Sequence, residues 1–467
     1  VPLRLPPLRE RTEDVAPLVA HFLTQGREDG LPVKSFAPDA IKTLKGWHWP
    51  GNVRELENLV LRLAVLHDET IIAADAVEAE LMADVPKKAR AVIIGGGITG
   101  AGISLDASSR GISTLLIEKS DFSSGTSSRS TKLIHGGLRY LENYEFKLVR
   151  ESLKEREIVY KIAKHISRPI PFIIPHTDKI RPAWLIKFGL FLYDNLGGKT
   201  NIPKSKTFDL NKKFPNILKE KYKTGFQYFD IQIDDKKLTK LNAQDAKKNK
   251  AKILEYNKVK KAEIINNEWV ISLQNRKKIK SKVLINASGP WINETLHKNI
   301  KIKSKNKIRL VKGSHIITKK LYKEDVAFTF QNTDKRIIFV IPYKKHFSLI
   351  GTTEVEVKSP ENNGISNQEI QYLIKSVNNY LKKQISKKDI VDTYSGIRPL
   401  IEDFKEASKV TRDYVFDLHI VKKLPLLNIY GGKLTTYRKL SEKVLIDLKK
   451  FLPKTKKGPW TDKKRLF

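Results

Sequence analysis

Cysteine is absent from the 467 residues and methionine occurs once. Without a thiol there is no disulfide framework, no thiolate metal site and no cysteine nucleophile. Long apolar runs are missing too. No segment approaches the ~18 uninterrupted apolar residues of a spanning helix. The N-terminus lacks a basic flank leading into a short apolar stretch, so no secretory signal is read there and a cytoplasmic location is expected. The first residue is Val1, from which we expect a piece of a longer reading frame. What remains is ordinary globular material. With 40% hydrophobic and 30% charged residues, the chain is long enough for two or three domains with sizeable cores.

Acid is scarce relative to base, with 51 Asp and Glu against 88 Lys and Arg and a formal net charge of +37. The imbalance is one-sided. Residues 1–85 hold 9 Lys and Arg against 14 Asp and Glu and favour Leu, Ala and Arg, whereas the remainder is rich in Lys, Ile and Asn. That break sets a boundary near Val85 to Lys88. The lysines are scattered and not interleaved with stacking aromatics, so a solvated basic surface is expected and no nucleic-acid partner. An anionic membrane surface stays open as a partner.

The opening segment reads as helical. Arg11-Thr12-Glu13-Asp14 is a capping signal ahead of Val15, Leu18, Val19 and Phe22. Pro38-Asp39-Ala40 leads a second helix, and Asn52 is placed to cap a third over 53–65. Two stretches, Val1-Pro2-Leu3-Arg4-Leu5-Pro6-Pro7-Leu8-Arg9-Glu10-Arg11 and Trp49-Pro50-Gly51-Asn52-Val53-Arg54-Glu55-Leu56-Glu57-Asn58, resemble the end of the AAA+ module in sigma-54-dependent activators of the nitrogen-regulator type. The resemblance implies that Arg9 and Arg11 come from an arginine-finger neighbourhood and that Arg54 senses nucleotide. The chemistry of such a module needs a phosphate-cradling Walker loop and a magnesium-binding acid, and neither precedes these residues. Gly197-Gly198-Lys199-Thr200 fails as a Walker loop because Tyr193 stands where its first glycine belongs. Residues 1–87 are therefore expected to be an all-α, catalytically inert AAA+ lid fragment.

Chemistry begins at Ala91-Val92-Ile93-Ile94, an apolar run short enough for a buried parallel strand, followed at once by Gly95-Gly96-Gly97-Ile98-Thr99-Gly100. This is a dinucleotide fingerprint: Gly95 permits the turn, Gly97 lets the backbone approach a pyrophosphate, and Gly100 lets the helix from Ile98 to Arg110 pack on the strand. A second apolar run, Thr114-Leu115-Leu116-Ile117, ends in Glu118, 23 residues after Gly95, where a carboxylate can hold a ribose hydroxyl. Next comes a polar, glycine-rich stretch from Ser123 to Tyr140 whose Thr126, Ser127, Ser128, Lys132 and His135 offer donors for phosphates and a flavin ring.

From here the sequence resembles the respiratory, quinone-linked glycerol-3-phosphate dehydrogenases. The resemblance rests on the run Lys132 to Tyr140, then Arg181-Pro182-Ala183-Trp184, Lys312-Gly313-Ser314-His315, Tyr394-Ser395-Gly396-Ile397-Arg398-Pro399-Leu400 and Gly431-Gly432-Lys433-Leu434-Thr435-Thr436-Tyr437-Arg438, all in the family's order. It implies an α/β fold with FAD as cofactor and no metal. A Rossmann-like FAD-binding domain is expected from segments 88–165, 225–300 and 390–452, with an inserted antiparallel-sheet substrate domain over 166–224 and 301–389. Residues 453–467 would begin a helical C-terminal region that usually follows Gly458-Pro459-Trp460-Thr461. The strand ending at Ala287 would deliver Ser288-Gly289-Pro290 as a second FAD motif, and Gly432, Leu434 and Thr435 belong to a third.

The implied reaction is oxidation of sn-glycerol 3-phosphate to dihydroxyacetone phosphate by hydride transfer to FAD, with electrons passed to a quinone. Such a pocket needs cations for a doubly charged phosphate and a base for the C2 hydroxyl. By position in the motifs, Arg139, Tyr140, Arg398 and Lys433 are the expected substrate ligands. His315 is the expected base, because an imidazole titrates near working pH; His135 is the reserve, or faces the flavin. Peripheral attachment to the inner face of the cytoplasmic membrane and a homodimer are further implications. The apolar segment from Arg181 to Tyr193 could lie in the interface, but its apolar residues on all sides favour a buried helix. Two rival readings are a flavin-dependent amine or amino-acid oxidase and a non-enzymatic regulator acting through the lid fragment.

Overall fold

The computed structural model describes residues 5–83, 85–176, 181–304, 306–361, 364–401, 414–455, 458–459 and 461–466. Residues 1–4 of the activator-like motif and Trp460 of the C-terminal motif lie outside the described residues. The N-terminal segment forms four helices, Val15–Glu28, Pro38–Gly46, Asn52–Leu66 and Ala74–Leu81. Their apolar stripes close on a shared core of Val15, Val19, Leu56, Leu59 and Leu63 around Trp49, whose indole N–H donates to the Leu44 carbonyl at 2.9 Å. Asn52 does not act as the expected cap. Its Oδ1 accepts from the Leu8 N–H at 2.8 Å, because buried Leu8 would otherwise leave that donor unsatisfied, and Glu55 takes the Gly51 N–H at 2.7 Å instead.

Two sheets follow. In the first, Lys88–Ile94 lies between Lys278–Asn286 and Thr114–Ile117, and the next strand outward is Lys252–Leu254; all these pairings are parallel. Leu424–Gly431 joins the far end of Lys278–Asn286 in parallel, with Leu284 beside Leu426. The strands are near-continuous Val, Ile and Leu because both faces are covered. On one side the helix Ile98–Ser109 is buried along almost its whole length between this sheet and the helices Asp235–Lys248 and Tyr437–Asp447.

The second sheet is antiparallel save for one pairing, Ala327–Gln331 beside Ser167–Pro175. Its longest ladder joins Ile308–Lys319 to Ile390–Ile401, setting His315 opposite Tyr394 and Val311 opposite Arg398. The strands Thr224–Ile233 and Ile390–Ile401 hydrogen-bond in this sheet. The ranges 225–300 and 390–452 were expected in the cofactor domain, so the chain's crossings between sheets fall inside those ranges.

The segment from Arg181 onward differs from its favoured reading. The helix Ala183–Leu196 buries only Ile186, Leu190 and Tyr193, a single stripe at helical spacing, while Trp184, Leu185, Phe188 and Phe191 face outward. A sequence apolar on every side concealed which third of the helix met the core. No helix among the described residues is long and apolar enough to cross a membrane.

Candidate active site

The fingerprint turn is built by local constraints. Gly95 sits at φ +113°, and a Cβ there would come within 2.5 Å of the Ala287 carbonyl oxygen, so only glycine fits between the two strands. A Cβ on Gly100 would lie 1.9 Å from the Gly95 oxygen, which fixes the distance between helix and turn. The N-terminus of the helix Ile98–Ser109 thereby opens onto a cavity of about 480 Å³ that also reaches the second sheet.

Most of the residues singled out above line this cavity: Gly95, Gly97, Glu118, Thr126, Ser127, His135, Arg139, Tyr140, Gly289, His315, Arg398, Gly432, Lys433, Leu434 and Thr435. Gly100 stands behind the turn. Ser128 and Lys132 do not line the cavity. The ammonium of Lys132 is turned to the buried Asp235 carboxylate at 2.8 Å and to the Ser128 carbonyl at 3.0 Å, because a carboxylate without solvent needs a cation.

At one end Glu118 accepts from the Gly96 and Ser120 N–H groups at 2.6 and 2.9 Å. Burial raises its pKa, and those two donors work against the rise. A carboxylate has about four acceptor sites, so lone pairs remain for ribose hydroxyls. Ser127 Oγ accepts the Ile98 N–H at 2.9 Å. Thr126 Oγ1 donates to the Ile397 carbonyl at 2.5 Å, and Thr435 Oγ1 accepts from the His135 N–H at 3.2 Å, so these loops are stitched to one another across both sheets.

At the other end His315 is 1% exposed and stacked on Tyr394, ring centres 4.7 Å apart. Burial, reinforced by the positive charges of Arg398 and Lys132, drives its pKa well below the ordinary histidine value. Both effects favour the neutral imidazole over the charged one. Nε2 lies 3.0 Å from Thr131 Oγ1, and Nδ1 has no hydrogen-bond partner among the described residues. With the proton assigned to Nε2, Nδ1 is a bare acceptor.

Three cations line the same cavity. Arg398 donates to Thr352 Oγ1 at 3.1 Å and pairs with Glu354 at 3.6 Å. A Cβ on Gly313 would meet its Nη2 at 2.6 Å, so the guanidinium packs against the bare backbone of the strand two residues before His315. The Lys433 ammonium lies 4.1 Å from the Tyr140 ring centre. Arg139 has no ion pair among the described residues. The neighbouring Lys312 is not in this group: it binds Glu369 at 2.8 Å. Burial disfavours the Glu369 charge, but Lys312, Ser366, Ser314 and Thr353 outweigh it and hold its pKa at about 2.

Sequence reasoning missed the support beneath Arg139. The Gly136 N–H donates to Tyr193 Oη, which donates to Asp230 Oδ1, both at 2.7 Å, and Arg156 closes the network at 3.1 Å. Burial raises the Asp230 pKa to about 6, against the lowering effect of Arg156 and Tyr193. One signal was available, a lone acid in the apolar run Thr224–Ile233.

A glycine cradle at a helix N-terminus, an acid at the end of the second strand and a buried imidazole nitrogen without a partner among the described residues fit a flavin dinucleotide, which Gly95, Gly97 and Glu118 would hold. Among the described residues no cluster of His, Asp or Glu is arranged to hold a metal. Residues 90–438 match the family model of the FAD dependent oxidoreductases, and residues 9–92 match that of the AAA+ ATPase lid domain. The aerobic glycerol-3-phosphate dehydrogenase of Escherichia coli (strain K12) is 45% identical over 364 residues, which cover 76% of this chain and 72% of that one. D-erythritol 1-phosphate dehydrogenase of Brucella abortus (strain 2308) is 43% identical over 384 residues, 80% of this chain and 76% of that one. The solved glycerol-3-phosphate dehydrogenase from Bacillus halodurans, complexed with FAD, matches with a TM-score of 0.64 at 28% identity, covering 82% of this chain and 69% of that one. The chain is thus an enzyme that belongs to the FAD-dependent oxidoreductase family, uses FAD and carries an AAA+ lid domain ahead of its catalytic part.

Proposed function

We propose that this chain oxidises sn-glycerol 3-phosphate at C2 to dihydroxyacetone phosphate, with FAD as hydride acceptor and a quinone taking the electrons onward. The observation that carries this reading is that Arg139, Arg398 and Lys433 line one cavity together with buried His315 and the glycine cradle. FAD, when bound through Gly95, Gly97, Glu118 and the loop containing Ser127, supplies the hydride acceptor. The cations hold a doubly charged phosphate and orient the C2 carbon. Nδ1 of His315 takes the proton of the C2 hydroxyl as the hydride leaves C2. Tyr140 keeps Lys433 in place.

The test is anaerobic addition of glycerol 3-phosphate to the purified yellow protein. The flavin absorbance should bleach, and glycine or sarcosine should leave it unchanged. Bleaching by the amines alone would replace this reading with an amine oxidase. The near-equal identity of the Brucella relative supports a second substrate, a four-carbon polyol phosphate, to be compared in the same assay.

We also infer peripheral contact with the inner face of an anionic membrane. Trp184, Phe188 and Phe191 are 68%, 54% and 61% exposed on the helix Ala183–Leu196. Lys187 interrupts them and basic residues follow, a pattern that suits insertion at the headgroup level. The lid domain, of the nitrogen-regulator activator type, is read as inert toward ATP. Arg11 pairs with Asp14 at 2.9 Å, and Arg54 is exposed.

A further inference from the structure

The N-terminal domain rests on the wall of the cofactor cavity. Tyr256 sits in the turn after the strand Lys252–Leu254, at φ +56°, a conformation that non-glycine residues rarely adopt. The inner side of that turn is tied to the end of the second Rossmann strand. The Tyr256 N–H donates to the Ser120 carbonyl at 3.3 Å and the Asn257 N–H to the Glu118 carbonyl at 2.8 Å. Glu118, Asn257 and Lys258 line the cavity, and the acid at this strand end marks the ribose side.

The outer side of the turn meets the lid at two separate points. The His48 ring stacks on Tyr256, centres 4.9 Å apart and planes 24° apart, with the Arg9 guanidinium 5.8 Å from the same ring. On the other flank Asn275 Nδ2 donates both to Met82 Sδ at 3.1 Å and to Asn257 Oδ1 at 2.9 Å. A strained turn takes its shape from its neighbours, and here those neighbours belong to the lid domain.

We propose that His48, Arg9 and Met82 are positioning residues for the cofactor: through Tyr256 and Asn257 they brace the adenosine-side wall and slow the departure of FAD. This goes beyond the substrate assignment and needs only the cofactor. Closing a wall from outside keeps it preorganised for the ligand, and that lowers the ligand's rate of escape.

The experiment uses the full-length holoprotein. After dilution, the rise of free-flavin fluorescence is followed for the wild type, His48→Ala, Tyr256→Ala and the double variant. His48→Ala should release FAD about two- to tenfold faster, the worth of one aromatic pair. The double variant should be no faster than Tyr256→Ala, since a contacting pair is lost only once. Release from His48→Ala at the wild-type rate, or effects of the two substitutions that multiply independently, would overturn the brace. If release follows this pattern while glycerol 3-phosphate fails to bleach the bound flavin, the brace stands and the substrate assignment falls.

Discussion

Tyr193→Phe removes one oxygen from the buried network under Arg139. The ring stays packed, so the change isolates two hydrogen bonds of 2.7 Å, one from the Gly136 N–H and one to Asp230. Asp230 keeps Arg156, but the Gly136 N–H loses its closest acceptor and is left with a weaker interaction with Asp230. An unsatisfied buried donor costs about 1–3 kcal/mol, and the lost bond to a charged carboxylate adds about 1–2 kcal/mol. Urea unfolding of the holoprotein should therefore show a loss of about 2–5 kcal/mol. Gly136 lies three residues before Arg139, so the loop carrying that cation relaxes as well. Steady-state assays with glycerol 3-phosphate should show KM raised about tenfold and flavin content unchanged, since misplacing a charged anchor by a fraction of an ångström has effects of this order. Tyr228→Phe is the control: among the described residues its hydroxyl bonds Thr329 Oγ1 alone, at 3.2 Å, so a smaller loss is expected. Unchanged stability together with an unchanged KM in Tyr193→Phe would refute the claim that this network positions Arg139.

His315→Asn should lower kcat about 10²- to 10⁴-fold with little effect on retained flavin, measured by stopped-flow bleaching. In the wild type, the acid limb of kcat/KM should lie well below pH 6.5. A base whose pKa is depressed stays unprotonated as pH falls through the ordinary histidine value, and activity is lost only below it. A limb near pH 6.5 that vanishes in His315→Asn would contradict that environment. Arg398→Lys should raise KM for the phosphate substrate at least tenfold, read by initial rates, because an ammonium cannot reproduce the planar fork over Gly313. Gly100→Ala should yield protein without flavin absorbance, as its methyl would sit 1.9 Å from the Gly95 oxygen. Replacing Trp184, Phe188 and Phe191 together by Ser should abolish sedimentation with vesicles of anionic lipid while leaving turnover with a soluble electron acceptor intact.

Features encoded within a few residues were legible. The strand Lys88–Ile94, its glycine turn, the helix Ile98–Ser109 and the strand ending before Glu118 form one short continuous unit, and periodicity with turn chemistry suffices to read it. His315, Arg398 and Lys433 could be placed only through resemblance, because a strand ladder spanning more than 80 residues brings the first two together. Lys132 was misplaced for the same reason: nothing beside it in sequence announces Asp235. The Arg156, Tyr193 and Asp230 network joins two helices to a strand, and no local pattern specifies such a meeting. The exposed side of Ala183–Leu196 was hidden by its uniform apolarity, which does not say where the core lies.

The ladder between Ile308–Lys319 and Ile390–Ile401 has a further consequence. Because the imidazole and the guanidinium stand on two neighbouring strands locked by backbone pairing, the spacing between the proposed proton acceptor and the proposed anion clamp works as a ruler of fixed length. Altering loops elsewhere cannot stretch it. Acceptance of longer or shorter phosphorylated alcohols must then be tuned from the residues outside this ladder, Arg139 and Tyr140 on the short helix Leu138–Asn143 and Lys433 in the loop after Leu424–Gly431.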